Sequence, residues 1–367
     1  MNILIDINHP AHVHLYRNVY KRLIANGHQV LVVVKDIPTA KELLDIYAIP
    51  YIELGTKKDN IIWKGLEQLI YDWRLWKIVH KHHIDIGFGS SINIPHVSRI
   101  SKMTSIICDD DDDAVEPLFV KFAHPFSDVI LTPDCIQRKA KQTFYYPGYH
   151  DLAYLHPNLF TPDSSVLDDA EIKYKIKEDG IIECEPFYIM RFNAFKAHHD
   201  IGAGGLTIEN KRRLIKLLSA HGKVFITTER NIEEEFLPYQ LKVSPEKIHS
   251  LMYYAIMFVG DSQSMTSEAA VLGTPAIKCN SFAGRLAVPN EIEDKYQLCY
   301  SFLPTDIERM FKKIEDLLQM SNLKKEWTTR KENLLADKID VTKFFVWFIE
   351  NYPDSIQVNS KILYKSL

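Results

Sequence analysis

The residues with the clearest chemical potential form a short turn between a strand-like segment and a helical pattern, from Gly260 onward. The first turn of a helix has backbone N–H groups without intrahelical partners and carries the positive end of the helix dipole, so it favours a phosphate. Glu268 follows about one turn into the helix, where a carboxylate is suited to accept hydrogen bonds from both hydroxyls of a ribose. The alternative is that the turn is only a helix cap. The predicted binding residues of the turn are Asp261, Ser262, Gln263, Ser264, Met265 and Thr266.

Three histidines follow the first strand-like segment, at His9, His12 and His14. A neutral imidazole titrates near physiological pH and can accept a proton from a hydroxyl group. We predict His12 to be the catalytic base, with His9 as the main competitor for that role. The competing interpretation is that His9 caps the loop, and His14 is expected to pack on the helix.

Further polar side chains stand at the ends of two strand-like segments in the second half of the chain. Arg191 follows the first of them, and a guanidinium there is suited to neutralise a diphosphate through two parallel hydrogen bonds. Asn193 lies two residues further on. Thr228 and Arg230 follow the next strand and are predicted to contact a base or a phosphate. An ordinary surface position is the alternative for each.

A run of five aspartates, Asp109 to Asp113, directly follows another strand-like segment. Ligands bind at the carboxyl ends of strands in open α/β sheets, so the run lies where a site is expected. A solvated loop is an equally good interpretation. The carboxylates are only a weak signal for Mg²⁺, and no metal site is predicted.

The elements that must position these residues alternate between strand and helix. Continuous apolar strands between helices indicate parallel sheets covered on both faces, so the fold class is α/β with two doubly wound domains. Turn residues from Tyr146 to Tyr149 and a polar stretch over 163–180 mark a boundary. The predicted division is a first domain over 1–150, a linker over 151–180, a second domain with C-terminal helices over 181–350, and a tail over 351–367.

The composition excludes several classes of protein. Hydrophobic residues make up 46% of the 367 residues, which is enough to build cores and rules out disorder as the main state. A net charge of −4 argues against a nucleic-acid partner. The five cysteines have no paired spacing, so neither disulfides nor a zinc site is predicted. No apolar run approaches the roughly 18 residues of a membrane span, and a cytoplasmic location is expected.

The segment 61–83 carries Trp63, Trp73 and Trp76 together with lysines and histidines. Its apolar residues fall on one helical face, so core packing explains most of them. The alternative is a weak contact with a membrane surface, which would suit a lipid-linked acceptor.

The stretch from Gly260 to Pro275 resembles the nucleotide-binding signature of the glycosyltransferase-B superfold. It is similar to the UDP-N-acetylglucosamine 2-epimerases, although Gln263 and Ser264 replace two small residues of their pattern. It also resembles the membrane-associated N-acetylglucosaminyltransferase of peptidoglycan synthesis, which has a loop histidine at the spacing of His12. The residues that match the epimerase pattern in register are Asp261, Ser262, Glu268, Ala269, Leu272, Gly273 and Pro275.

Three motifs resemble a family of unknown function found in archaea and bacteria: the opening around His9-Pro10, the stretch from Tyr146 to Pro157, and the Gly-Asp-Ser turn at Gly260. The superfold resemblance implies two Rossmann-like domains that face each other across a cleft. It also implies that the turn Ser262 to Thr266 holds a diphosphate and that Glu268 holds the ribose.

Together these features predict a metal-independent glycosyltransferase that needs no cofactor. It would move a sugar from a nucleotide-sugar, most simply a UDP-sugar, to a hydroxyl of a glycan or lipid-linked acceptor in cell-surface polysaccharide or glycolipid synthesis. Epimerisation of a UDP-sugar at C2 is the first alternative, with Asp110 or Asp112 as a catalytic acid or base. A nucleotide-sugar-binding protein without activity is the second.

Overall fold

The computed structural model describes residues 1–55, 61–192, 205–228 and 232–358, without the side chains of 61–66. The chain forms two compact units. The first contains Met1–Leu159 together with the segment from Lys338 onward, and the second contains Phe160–Asp337. Each unit has an α/β architecture with a parallel sheet, as the sequence predicts.

Within the described residues, the first unit builds a seven-stranded sheet in the order β3-β2-β1-β4-β5-β6-β7. The central strand β1 is buried on both faces and, apart from Asn2 and the buried Asp6, apolar, as expected for a parallel sheet covered by helices. The strands are β1 Asn2–Ile7, β2 Gln29–Val34, β3 Tyr51–Glu53, β4 Ile86–Gly89, β5 Thr104–Cys108, β6 Val129–Pro133 and β7 Thr143–Tyr146. The helices are α1 Pro10–Ala25, α2 Pro38–Ile46, α3 Ile61–His82, α4 Asn93–Ser98, α5 Pro117–Phe122 and α6 Leu152–Leu155, with a 3₁₀ turn at His124–Phe126.

The described part of the second unit has a five-stranded parallel sheet in the order β11-β10-β12-β13-β14 and a separate hairpin of β8 and β9. The strands are β8 Tyr174–Ile176, β9 Ile182–Cys184, β10 Phe187–Arg191, β11 Lys223–Thr227, β12 Met257–Gly260, β13 Ala276–Cys279 and β14 Cys299–Phe302. The helices are α7 Ser165–Asp169, α8 Ile208–Ser219, α9 Ile248–Tyr254, α10 Gln263–Leu272, α11 Ala287–Asp294, α12 Ile307–Leu318 and α13 Leu323–Asp337. Shorter 3₁₀ turns lie at Glu234–Tyr239, Pro245–Lys247 and Pro304–Asp306.

Each sheet has one point at which the strand order reverses. In the first unit the chain adds β2 and β3 on one side of β1 and then crosses to β4 on the other side. In the second unit it adds β11 beside β10 and then crosses to β12. Ligands of doubly wound sheets bind outside the carboxyl ends of the strands at such a point. The loops after β1, β4, β10 and β12 are therefore the places to look for a site.

The last helix, α14 Val341–Glu350, packs in the first unit, followed by a 3₁₀ turn at Asp354–Gln357. The ring of Phe345 is buried and lies 5.4 Å from the rings of both Phe88 and Tyr146. Asp340 caps the helix and forms an ion pair with Arg22 of α1 at 3.2 Å.

The sequence analysis ended the first domain at 150, took 151–180 as a linker and assigned 181–350 to the second domain. The structure extends the first unit to Leu159, begins the second at Phe160 and returns the chain to the first at Lys338. The difference has a physical reason. An apolar helical pattern shows that a helix is buried, but it does not show which core the helix completes.

No helix in the described ranges is both long enough and apolar enough to cross a bilayer.

Candidate functional site

The turn before helix α10 lies at the carboxyl end of β12, at the reversal point of the second sheet. Ser262 has an extended backbone and caps the helix, because its Oγ accepts a hydrogen bond from the Met265 N–H at 3.5 Å. Thr266 Oγ1 donates to the Ser262 carbonyl at 2.6 Å. Both hydroxyls thus stabilise the turn itself. An anion would meet the backbone N–H groups of the first turn beside the exposed Ser264.

A buried lysine contacts this turn. Lys278 of β13 is 1% exposed, and its Nζ donates a hydrogen bond to Oε1 of Gln263. Burial lowers the pKa of Lys278 to about 8, although Cys299 and Glu293 act in the opposite direction. Nε2 of Gln263 is buried and has no hydrogen-bond partner among the described residues. A protonated Lys278 adds positive potential at the helix end that already favours an anion.

Arg191 stands beside the same turn. It ends β10 in register with Gly260 of β12, and its carbonyl accepts a hydrogen bond from the Asp261 N–H at 3.1 Å. Nη1 of Arg191 donates to Thr227 Oγ1 at 3.1 Å. The structure therefore brings Arg191 and the predicted turn together, and Thr228 follows Thr227 at the end of the neighbouring strand.

Glu268 points into the core of the second unit and is 6% exposed. Its Oε1 lies 3.0 Å from Nε2 of His249 in α9, which is 2% exposed. The imidazole fixes the orientation of the carboxylate. One oxygen of the Glu268 carboxylate, which is predicted to contact the ribose, thus already has His249 as its partner.

The histidines of the first unit have distinct surroundings. His9 caps α1, because its Nδ1 accepts a hydrogen bond from the Ala11 N–H at 3.2 Å. His14 is buried, and its ring lies 5.9 Å from that of Tyr47 and 5.6 Å from that of Tyr154. His9 is therefore a helix cap, and His14 is a packed residue of the first unit, as the alternative interpretation of the sequence expects.

His12 lies at the start of α1, with its ring 5.9 Å from that of His9 and 5.8 Å from that of Tyr16. Burial lowers the pKa of His12 to about 3, and the charges of His9 and His150 act in the same direction. Its Nδ1 is buried and has no hydrogen-bond partner in the described ranges. The imidazole is therefore neutral at physiological pH, and no described residue contacts its Nδ1.

The run Asp109 to Asp113 has two different roles. Asp109 is buried, and its carboxylate contacts His124 Nε2 at 2.7 Å and Arg138 Nη2 at 2.9 Å. Asp113 contacts Nη1 of the same guanidinium at 2.7 Å, and the Arg138 side chain has no exposed surface. These two carboxylates neutralise a buried cation, so they maintain the loop after β5.

Asp110 belongs to a different contact. Its Oδ2 lies 3.0 Å from Nδ1 of His150, a residue of the loop that follows β7. Nε2 of His150 is buried and has no hydrogen-bond partner in the described parts of the chain. An imidazole held by a carboxylate on one nitrogen, with the other nitrogen available, is the arrangement of a general base.

Sequence reasoning missed His150, His249 and Lys278. A signal existed for Lys278, because a lysine inside an apolar strand indicates a buried charge. His150 follows the carboxyl end of a strand, which was also readable. Nothing in the sequence pairs His249 with Glu268. Two predicted binding residues, Asn193 and Arg230, lie outside the described residues.

Among the described residues, no three side chains of His, Cys, Asp or Glu are grouped so that they could hold a metal ion. In the described part of the chain, Arg191, Lys278 and the N-terminus of α10 contribute positive charge around the turn after β12.

Two Rossmann-like units, each with a parallel sheet whose strand order reverses once, define the glycosyltransferase-B type of fold. Glycosyltransferases and UDP-N-acetylglucosamine 2-epimerases are among the solved structures that share it. The chain itself belongs to the family described as "Protein of unknown function (DUF354)", whose family model matches residues 1–341.

Individual relatives agree with this assignment. An uncharacterized protein of Methanocaldococcus jannaschii is 23% identical over 345 residues, which cover 87% of this chain and 92% of that protein. The MnaA–UDP co-structure of S. aureus is 11% identical and covers 98% of both chains, with a TM-score of 0.69. The glycosyltransferase SsfS6 of Streptomyces sp. SF2575 is 10% identical and covers 96% of this chain and 100% of that one, with a TM-score of 0.59. At these identities the two structures show the fold.

The aspartate run yields a paired prediction. Asp109→Ala should lower the free energy of unfolding by about 3–5 kcal/mol, because it leaves the buried Arg138 guanidinium without its inner partner. Asp110→Asn should cost less than about 1 kcal/mol, because that side chain is 40% exposed and its ion pair within the described residues is with His150. Urea unfolding followed by circular dichroism measures both. Equal losses for the two variants would contradict the division of roles.

Proposed function

We propose that the protein is a glycosyltransferase that uses a nucleotide-sugar, with a UDP-sugar as the expected donor. The observation that carries the proposal is the turn before α10, where Arg191 and the buried Lys278 flank a helix N-terminus at the reversal point of the second sheet. Fixed positive potential at such a turn suits a diphosphate. The UDP complex of MnaA, which shares the fold, supports the choice of nucleotide.

The proposed chemistry follows from where charge develops. The departing diphosphate gains negative charge in the transition state, and preorganised donors stabilise charge most where it develops. Arg191, Lys278 and the first turn of α10 would supply that stabilisation, so the scheme does not depend on a metal ion. Glu268 would bind the ribose. An imidazole at the carboxyl end of the first sheet would accept the proton of the acceptor hydroxyl, and the sequence points to His12.

Epimerisation at C2 is the second candidate. Structures of UDP-N-acetylglucosamine 2-epimerases share the fold, and Asp110 is a carboxylate that does not contact Arg138. Such a reaction needs acid and base groups on both sides of C2. Asp109 and Asp113 already neutralise Arg138, which leaves fewer carboxylates for that task and favours transfer.

A third element of the proposal concerns the acceptor. Several large apolar side chains are exposed on the first unit, in or next to α3, α4 and α5, and we call them the apolar face. His96 connects these segments, because Nδ1 lies 2.8 Å from Asp72 Oδ2 and Nε2 lies 2.9 Å from the Phe122 carbonyl. Arg99 Nε donates to the Phe126 carbonyl at 2.7 Å. The residues of the apolar face are Leu69, Ile70, Trp73, Ile100, Leu118, Phe122 and Phe126.

Basic residues border the apolar face. Lys77 lies over the Trp73 ring at 3.4 Å, and Lys121 lies over the Phe122 ring at 5.4 Å. Exposed apolar side chains among lysines suit the interface of an anionic membrane. We infer that the apolar face makes a peripheral contact with the cytoplasmic membrane surface, where a lipid-linked acceptor would be available.

Nucleotide binding gives the first test. The wild-type protein should bind UDP in calorimetry. Lys278→Met should weaken UDP binding at least about tenfold and leave uridine binding unchanged, because only UDP carries the diphosphate that meets the cation.

Since burial lowers the pKa of Lys278 to about 8, the cation is lost as the pH rises through that value. Wild-type affinity for UDP should then fall above about pH 8, whereas Lys278→Met should not show this fall. Equal loss of UDP and uridine binding would contradict the role of Lys278.

Turnover gives the second test. The purified protein is incubated with UDP-, GDP- and CMP-sugars, with and without glycan or lipid-linked acceptors. We expect release of the nucleoside diphosphate only when an acceptor is present. Formation of a 2-epimer without an acceptor would replace transfer by epimerisation. Tight binding without product under any condition would leave a binding protein without activity.

Membrane contact gives the third test. In co-sedimentation, the protein should bind vesicles of phosphatidylcholine that contain phosphatidylglycerol, and salt should weaken this binding. Replacing both Trp73 and Phe122 by Ala should reduce the bound fraction about tenfold. Leu237→Ala, at an exposed apolar position of the second unit, is the matched control and should have no effect. Equal binding by all three proteins would eliminate the proposed contact.

A further inference from the structure

His150 is a half-buried titratable group that the sequence analysis did not select. Its side chain is 12% exposed, and Nδ1 lies 3.0 Å from Oδ2 of Asp110. A carboxylate only accepts hydrogen bonds, so the proton of the neutral imidazole is on Nδ1 and the lone pair is on Nε2. Asp110 thereby determines which nitrogen of His150 can act as a base.

The second nitrogen of His150 needs a partner. Nε2 is buried and has no hydrogen-bond partner among the described residues. Buried polar atoms in native proteins are nearly always satisfied, so an unsatisfied one indicates a ligand, a water molecule or a catalytic role. The ring of Phe345 packs against the imidazole with 6.3 Å between centroids, which restricts its rotation. The lone pair is therefore held in a fixed direction.

The charged neighbours of His150 lie on two other elements. Asp110 and Asp111 belong to the loop after β5, and both interact electrostatically with the imidazole. His12, at the start of α1, is close enough that His150 contributes to the lowering of its pKa. The two histidines and Asp110 thus form one cluster at the carboxyl end of the first sheet.

His12 and His150 differ in what supports them. Nδ1 of His12 has no hydrogen-bond partner in the described ranges, so no carboxylate holds that nitrogen. Burial lowers the pKa of His12 to about 3, which makes it a weak proton acceptor. His150 has the carboxylate that stabilises an imidazolium as it forms. The pairing of a base with a group that orients it is found at His150 and not at His12.

We propose that His150 is the base that accepts the proton of the acceptor hydroxyl and that Asp110 is its positioning residue. The assignment rests on the proposed transferase function. The hydroxyl oxygen forms the new bond to the anomeric carbon, and its proton moves to Nε2 of His150. The bond from the anomeric carbon to the phosphate oxygen breaks, and the nucleoside diphosphate leaves with the electron pair. The Asp110 carboxylate compensates the positive charge of the imidazolium.

The first part of the test does not need a substrate. In the full-length protein labelled with ¹⁵N-histidine, the shifts of neutral His150 should show a protonated Nδ1 and an unprotonated Nε2. Asp110→Asn should mix the two tautomers, because an amide can donate as well as accept. A wild-type His150 with its proton on Nε2 would overturn the role of Asp110.

The second part measures turnover with the acceptor that supports transfer in the panel described above. His150→Gln should lower kcat by about 10²–10⁴ with UDP affinity unchanged, and Asp110→Asn should lower kcat less. His12→Gln tests the competing base and should lower kcat by less than His150→Gln does. The matched control is His221→Gln, at an exposed position after α8 in the second unit, which should keep full turnover.

The outcomes separate the two proposals. Full turnover in His150→Gln, or a loss in His12→Gln that exceeds the loss in His150→Gln, would overturn the assignment of the base and leave the transferase function intact. A wild-type protein that binds UDP and transfers to no acceptor would overturn the transferase function, and the base role with it.

Discussion

The close parallel pairing of β10 with β12 is the constraint on which the second unit depends. A Cβ atom at Gly260 would lie 2.4 Å from the Arg191 carbonyl oxygen, so only glycine permits the two strands to approach this closely. The approach brings the Arg191 backbone next to the turn that opens α10, while its guanidinium donates to Thr227 of β11. It also lets the Asp261 N–H bond to the Arg191 carbonyl, which sets the direction of the turn. The anion-favouring geometry is thus a product of backbone packing.

Buried charged side chains lie at the carboxyl ends of the strands in both sheets, where the functional loops begin. Removing a charge from water is costly, and a buried ion pair contributes little net stability. We infer that these buried charges serve to hold neighbouring polar groups in position. Arg138 is neutralised by Asp109 and Asp113 and thereby fixes the loop that presents Asp110. Lys278 donates a hydrogen bond to the side-chain carbonyl oxygen of Gln263, so the amide nitrogen of Gln263 points away from the lysine. In both cases a buried cation orients a neighbouring polar group.

Much of this architecture could be predicted from the sequence, because apolar strands, turn residues and caps are local signals. The strand, turn and helix around Ser262 were readable from order and residue type alone. The partners were not. His249 meets Glu268, and His150 meets Asp110, only because different helices and loops converge in space, and single-sequence patterns carry no record of such pairs. The same limit applies to α14. Its apolar face is evident from the sequence, but the unit against which it packs is not.

The return of the chain to its first unit makes the second unit an insertion. During synthesis, the second unit has all of its residues once Asp337 has been made, whereas the first lacks α14 and the Phe345 ring that packs against Phe88 until Glu350 has been made. Domains fold as units when their residues become available. The second unit can therefore mature on the ribosome ahead of the first, and a premature stop codon before Val341 would damage the half of the molecule that was begun first.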